Sequence, residues 1–155
     1  TGQIAEFFQD LGGAAQAPKT FDDAIEALLD TGRVAIIDWA DSPNMVLENL
    51  GALLQGKNAL AASDTNAVLA AGENTGKTGR GAAALPTLHA LDQTLNGSGE
   101  RLLWIDRGGD IFEIARVRDA IWSKWHDVKL GDLFVLEANI NNDLPKNRTF
   151  TAGPK

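Results

Sequence analysis

The chain contains no cysteine and no tyrosine, and its 155 residues include a single methionine. The absence of cysteine excludes disulfide bonds, thiolate nucleophiles and cysteine-based metal sites. No apolar run approaches the roughly 18 to 20 residues that a membrane-spanning helix needs, and no signal peptide is visible. The sequence therefore predicts no membrane association.

Positive charge is also scarce. Fourteen Lys and Arg residues stand against twenty-one Asp and Glu residues, which gives a net charge of −7 and a sequence pI near 4.7. The basic residues are scattered singly rather than gathered in a patch. Non-specific binding to nucleic acid or to an anionic membrane is therefore not expected.

The rest of the composition is that of a folded domain, with 44% hydrophobic and 23% charged residues. A cysteine-free, acidic, Ala- and Gly-rich chain is typical of bacterial secreted or surface proteins, and this location is favoured over the cytoplasm. The chain begins at Thr1 and ends in "FTAGPK". We expect one domain over 1–155, excised from a longer protein, with a helix and linker at 1–19 and an irregular tail at 141–155.

The first half of the sequence has clear helix signals. Residues Ile4, Phe7 and Phe8 follow helical spacing, Thr20 can cap "FDDAIEALLDTG", and Ser42 can cap the helix that "PNMVLENLGALLQG" predicts. Further helices are expected over "DTNAVLAAG", although "AVLAA" alone fits a strand equally well, and from Pro86 onward. The segment 116–126 fits either a helix or a strand.

Strand signals begin with "RVAIIDWA", a continuous apolar run that favours a strand covered on both faces. "KNALAAS" predicts a weaker strand. "RLLWID" and "IFEIARV", joined by "RGGD", predict an antiparallel hairpin, and "DLFVLEANI" predicts a last strand. The expected class is α/β or α+β: a single domain with one mixed sheet of about four to five strands, helices packed on it, and the hairpin in the C-terminal third.

A glycine-rich segment carries the first candidate site. "AGENTGKT" at 71–78 matches the pattern [AG]-x4-G-K-[ST], and it resembles P-loop NTPases, together with "LLWID" at 102–106. The resemblance implies that Gly76 lies in a phosphate-binding loop, that Lys77 reaches the β and γ phosphates, and that Thr78 holds Mg²⁺.

The neighbouring sequence argues against a P-loop. "DTNAVLAAG" predicts a helix where a P-loop needs a buried strand, and Gly79 and Gly81 follow at once. Glycine costs about 1 kcal/mol relative to alanine inside a helix, so "TGRG" is a poor first turn. We therefore expect a flexible loop over 72–84, in which Lys77 and Thr78 do not begin a helix. Nucleotide binding is the less favoured alternative.

Carboxylates on the predicted strands form the second candidate site. "GDIFEIAR" followed by "LFVLEAN" resembles the strand pair of PD-(D/E)xK nucleases, which implies a Mg²⁺-dependent nuclease or toxin domain in which the metal activates water. Asn139 stands where that family has lysine, so Lys124 or Lys129 would have to replace it. The catalytic candidates under this alternative are Asp106, Asp110, Glu113 and Glu137.

Aromatic residues of the last third form the third candidate site. Most of them are expected in the core, but exposed tryptophan is enriched in binding hot spots. The candidate binding surface is Trp122, Trp125 and His126, with Trp122 expected to be the most exposed.

The preferred function is a non-catalytic protein-binding or assembly domain. No set of candidate catalytic residues is supported by its sequence context, whereas the core signals are strong. The expected partner is another protein or the rest of the parent chain, and no cofactor is expected apart from Mg²⁺ under the nuclease alternative.

Overall fold

The computed structural model describes residues 2–14, 16–74, 81–137 and 149–155. Over these residues the chain forms six α-helices and one five-stranded sheet. The helices are α1 (Gly2–Asp10), α2 (Phe21–Asp30), α3 (Pro43–Asn49), α4 (Ala62–Glu73), α5 (Ala84–Asn96) and α6 (Asp119–Trp125). The strands are β1 (Val34–Asp38), β2 (Glu100–Asp106), β3 (Ile111–Arg118), β4 (Val128–Leu130) and β5 (Leu133–Glu137). None of these helices has the length and apolar character needed to cross a membrane.

Two helix starts form as the sequence predicts. The Thr20 hydroxyl accepts a hydrogen bond from the Asp23 amide at 3.0 Å, and the Ser42 hydroxyl accepts one from the Met45 amide at 3.3 Å. Each cap satisfies an amide that has no partner inside the helix. Helix α3 is shorter than expected, because Gly51 adopts a positive φ of 52° and the chain continues as a 3₁₀ turn.

The sheet has the order β1-β3-β2-β5-β4. The single sheet, its number of strands and the β2–β3 hairpin confirm the expected fold class. All pairs of named strands are antiparallel, however, rather than mixed. Short connections between β2 and β3 and between β4 and β5 require antiparallel pairing. The parallel contact found among the described residues is an isolated bridge between Val128 and Thr151.

Helices cover both faces of the sheet, in three layers. Leu103 and Ile105 of β2 point to the first face, where they pack with α1, α2 and α6. Leu102 and Trp104 point to the second face, where they pack with α3, α4 and α5. Because successive strand residues alternate between faces, one strand contributes to both cores.

Two local expectations are settled by the structure, which also contains one further strand. "KNALAAS" is not a strand: Gly56–Asn58 is a 3₁₀ turn, and α4 begins at Ala62. Alanine favours helix, and the stretch lacks the β-branched residues that favour strands. The ambiguous segment 116–126 contains the end of β3 and then α6. The short strand β4 was not predicted.

The two edges of the sheet differ. The β4 edge is covered by the C-terminal segment, because the Lys129 amide donates to the Thr151 carbonyl at 2.8 Å and the Thr151 amide donates to the Asp127 carbonyl at 3.0 Å. Strand β1 pairs with β3 on one side, and no described strand pairs with its other side. The expectation that β1 is covered on both faces is wrong, since Ile36 is 45% exposed.

Candidate functional site

The candidate nuclease carboxylates do not lie on one face of the sheet. Glu113 is opposite Ile105 on the first face, and Glu137, opposite Leu103, shares that face. Asp106 follows Ile105 and therefore points to the second face, while Asp110 lies in the β2–β3 turn. No group of three His, Asp or Glu side chains suited to a metal ion occurs within the described residues.

Glu113 is engaged in an ion pair instead. Its side chain is 2% exposed and accepts two hydrogen bonds of 2.6 Å from Nε and Nη2 of Arg107. Arg107 also donates to Asp22 and Glu26 of α2. The hydrogen bonds to Glu113, and then those to Glu26 and Asp22, raise the pKa of Arg107. Arg107 thus links α2 to the hairpin on the first face, and Glu113 holds the Arg107 guanidinium in place.

Lys124 and Lys129, which would have to replace the lysine of the nuclease family, have other neighbours. Lys124 Nζ lies 2.7 Å from Asp10 and 3.1 Å from Glu6 of α1, and the hydrogen bond to Asp10 raises the pKa of Lys124. Lys129 Nζ lies 5.6 Å from the ring centroid of Phe134. Phe134 is the register partner of Asp106, but no ion pair within 4 Å joins Lys129 to a described carboxylate.

Trp125 belongs to the core, so its assignment to a binding surface is wrong. It is 0% exposed, its indole Nε1 donates to Asp10 at 2.8 Å, and its ring meets Phe7 edge to face at 5.1 Å. Helix α6 directs Trp125 towards α1. The sequence does not predict this direction, because the segment 116–126 fits either a helix or a strand.

Trp122 is half-buried, and both faces of its ring are covered. The Arg101 guanidinium lies 3.7 Å from the ring centroid, and His126 stacks on the other face at 3.9 Å with an interplanar angle of 5°. Asp92 holds Arg101 through two hydrogen bonds, and His126 Nδ1 lies 2.9 Å from the Trp122 carbonyl. This stack leaves no open aromatic platform.

The exposed apolar side chains lie elsewhere. The four large hydrophobic residues that are exposed in the described chain are Ile36 (45%), Trp39 (37%), Met45 (49%) and Ile111 (37%). Ile36 is in β1 and Trp39 follows it, Met45 is in α3 beside β1, and Ile111 is opposite Asp38 of β1. We call these four residues the β1 corner. Single exposed apolar residues are ordinary, whereas contiguous exposed apolar patches are associated with binding sites.

The backbone of β1 adds to this surface. The Trp39 amide donates to the Asp110 carbonyl of the neighbouring turn at 3.0 Å. Because successive residues of a strand direct their backbone groups to opposite sides, Ile36 and Asp38 direct theirs away from β3. Asp41 satisfies Asp38, through a 3.1 Å bond from the Asp38 amide and a 3.0 Å bond to its carbonyl. For the amide and carbonyl of Ile36, the described residues provide no such partner.

A cavity of about 320 Å³ lies beside the β1 corner. Its inner wall contains Trp104 and Phe112, whose rings meet edge to face at 5.0 Å. The Trp39 ring rests on Gly81, where a Cβ atom would lie 2.2 Å from the ring. The cavity is lined by Trp39, Trp104, Asp106, Gly109, Asp110 and Phe112.

The glycine-rich candidate site is only partly within the described chain. Gly76, Lys77 and Thr78 lie outside the described residues, so the interpretation of this segment stays a prediction. The element before it is helix α4, as the sequence predicts, and not the strand that precedes a P-loop.

Comparison with known proteins gives no relative from which a site can be transferred. No protein-family model matches the chain, and no curated protein and no solved structure matches it significantly. The candidate functional site is therefore defined by geometry, as the β1 corner and its cavity. The sequence does not predict this site, because an apolar run such as "AIIDW" occurs in central strands as well as in edge strands.

Proposed function

We propose that this domain binds an extended segment of another protein along β1 and catalyses no reaction. One observation carries the proposal: all four exposed large apolar side chains of the described residues lie at one corner, beside a strand edge without a partner strand. A strand with an open edge can pair with a strand from another chain. Some natural proteins bind peptides in this way, and others protect their open edges against such pairing.

The distribution of apolar groups around the edge supports strand addition. Ile36 and Ile111 lie on the first face, whereas Trp39 and Met45 lie on the second. A segment added to β1 would therefore contact apolar side chains on both sides of its own backbone. Asp41 occupies the outward groups of Asp38, so the available edge is centred on Ile36.

The absence of catalysis is supported by what the candidate groups do in the fold. Glu113 is buried against Arg107, and Asp106 points to the opposite face. We propose in addition that the parent is a bacterial secreted or surface protein, for which the acidic, cysteine-free composition is the support.

A random peptide library displayed on phage tests the proposal. Peptides selected on the wild-type domain are expected to bind about tenfold more weakly to Ile36→Lys, which removes an apolar contact, and to Ile36→Pro, which also removes the outward amide. Ala120→Lys, at an exposed position of α6, is the matched control and should bind like wild type. Equal dissociation constants for all four proteins would contradict the proposal.

Sedimentation of the domain alone tests whether a second copy of the chain, rather than a separate protein, binds along β1. If the wild type forms dimers that Ile36→Lys converts to monomers, a second copy of the chain covers the edge, and the proposal of a separate partner protein fails. We expect monomers for both, because each copy carries a net charge of −7 and like charges oppose association.

A further inference from the structure

We propose that the cavity beside the β1 corner takes a lysine or arginine side chain of the bound protein. The inference rests on the proposed function, because it assigns chemistry to part of the same surface. The cavity combines aromatic rings with the carboxylates of Asp106 and Asp110, and its occupant has to satisfy both.

Both kinds of wall favour a cation. The face of an aromatic ring carries the negative part of its quadrupole, which attracts ammonium and guanidinium groups. A carboxylate accepts charge-assisted hydrogen bonds from the same groups, and arginine presents its donors in a planar fork. The methylene stem of either side chain can pack against an indole ring while its charged end reaches the carboxylates.

The fold uses its own cations on other carboxylates. Each of four cations pairs with a carboxylate that is at least partly buried: Arg101 with Asp92, Arg107 with Glu113, Arg116 with Glu100, and Lys124 with Asp10. Such pairing is the rule, because an ionised group loses hydration when it is buried.

The carboxylates of the cavity form no ion pair within the described residues. Asp106 accepts one hydrogen bond, from the Gly108 amide at 2.8 Å. Arg107 is next to Asp106 in sequence, but it points to the other face and binds Glu113. A bound cation would therefore meet two carboxylates that no cation of the described chain already neutralises.

Other side chains fit the cavity less well. An apolar side chain would remove water from the carboxylates without replacing its hydrogen bonds. An acidic side chain would be repelled, both by these carboxylates and by the net charge of −7. The charge complementarity thus selects a basic partner segment.

Blocked tripeptides with a central arginine, lysine, citrulline or norleucine provide the test. Citrulline has nearly the shape of arginine without its charge. In NMR titrations of the isotope-labelled domain at low salt, the arginine and lysine peptides are expected to shift the indole signals of Trp39 and Trp104 to saturation. The citrulline and norleucine peptides should bind about tenfold more weakly or not at all.

Substitutions test whether Asp106 and Asp110 are the carboxylates that bind the arginine side chain. Replacing both Asp106 and Asp110 by asparagine should weaken binding of the arginine peptide by about tenfold, whereas Asp64→Asn, at an exposed position of α4, should leave it unchanged. Equal binding of the arginine and citrulline peptides to the wild type would overturn the inference without any variant. So would an unchanged affinity in a double variant whose amide spectrum shows that it is folded.

The two proposals can fail separately. If library peptides bind at Ile36 but the tripeptides leave the indole signals unchanged, the cation site is wrong and the protein-binding function stands. If the tripeptides bind and no library peptide depends on Ile36, the cation site stands and the proposed function fails.

Discussion

At the scale of single residues, the partner of a side chain decides what chemistry it is free to do. Glu113 has the residue type and strand position of a metal ligand, but both of its carboxylate oxygens accept hydrogen bonds from Arg107. Trp125 has the residue type of a binding hot spot, but its ring is enclosed by the core. The sequence does not predict Arg107 as the partner of Glu113, because the two side chains meet only through the register of the hairpin.

Replacement of Glu113 by glutamine tests its assigned role. The variant keeps the shape of the side chain but removes its charge, so we expect a loss of about 2 kcal/mol in the free energy of unfolding, measured with urea. Glu26→Gln removes an exposed partner of the same arginine and should cost less than about 0.5 kcal/mol.

A metal site would give a different pattern for the same variant. Mg²⁺ would then stabilise the wild type against unfolding, and Glu113→Gln would abolish that stabilisation. We expect Mg²⁺ to have the same small effect on both proteins, and a selective loss in the variant would restore the nuclease alternative.

At the scale of elements, the sequence predicts features that depend on neighbouring residues, such as helix starts. It does not predict features that depend on residues far away in the chain. The caps at Thr20 and Ser42 are set within four residues of chain, and the predicted helices α2 and α3 begin where those caps place them. The sequence predicts β1 as a strand, but the position of β1 at the edge of the sheet depends on its pairing with β3, far away in the chain. Because apolar runs are common to central and edge strands, the exposure of Ile36 could not be predicted.

Proline substitutions in β1 test this register. Ile36 directs its amide away from β3, so Ile36→Pro removes no bond of the sheet and should cost less than about 1 kcal/mol of stability. Ile37 directs its amide towards β3 and is 0% exposed, so Ile37→Pro should cost more than about 3 kcal/mol or prevent folding. Thermal or urea unfolding of the two variants measures the difference, and equal costs would show that the edge is assigned to the wrong residues.

At the scale of the whole molecule, two cores stabilise the fold, and the proposed binding surface lies at one edge of the sheet. Two cores on opposite faces of the sheet hold the layers together, and the C-terminal segment covers the β4 edge. The opposite edge keeps a group of exposed apolar side chains next to a cavity with two carboxylates. The net charge of −7 would attract a basic partner from a distance, and high salt would screen this attraction.

Amide hydrogen exchange at Ile36 is the most direct test of strand addition at β1. In the free domain, we expect the Ile36 amide to exchange rapidly and the Ile37 amide to exchange slowly, because only the latter is bonded within the sheet. Binding of a library-selected peptide should slow exchange at Ile36 by at least about tenfold, since a new backbone hydrogen bond forms there. An Ile36 amide that is already protected in the free domain, or one whose exchange is unchanged by a bound peptide, would contradict the account.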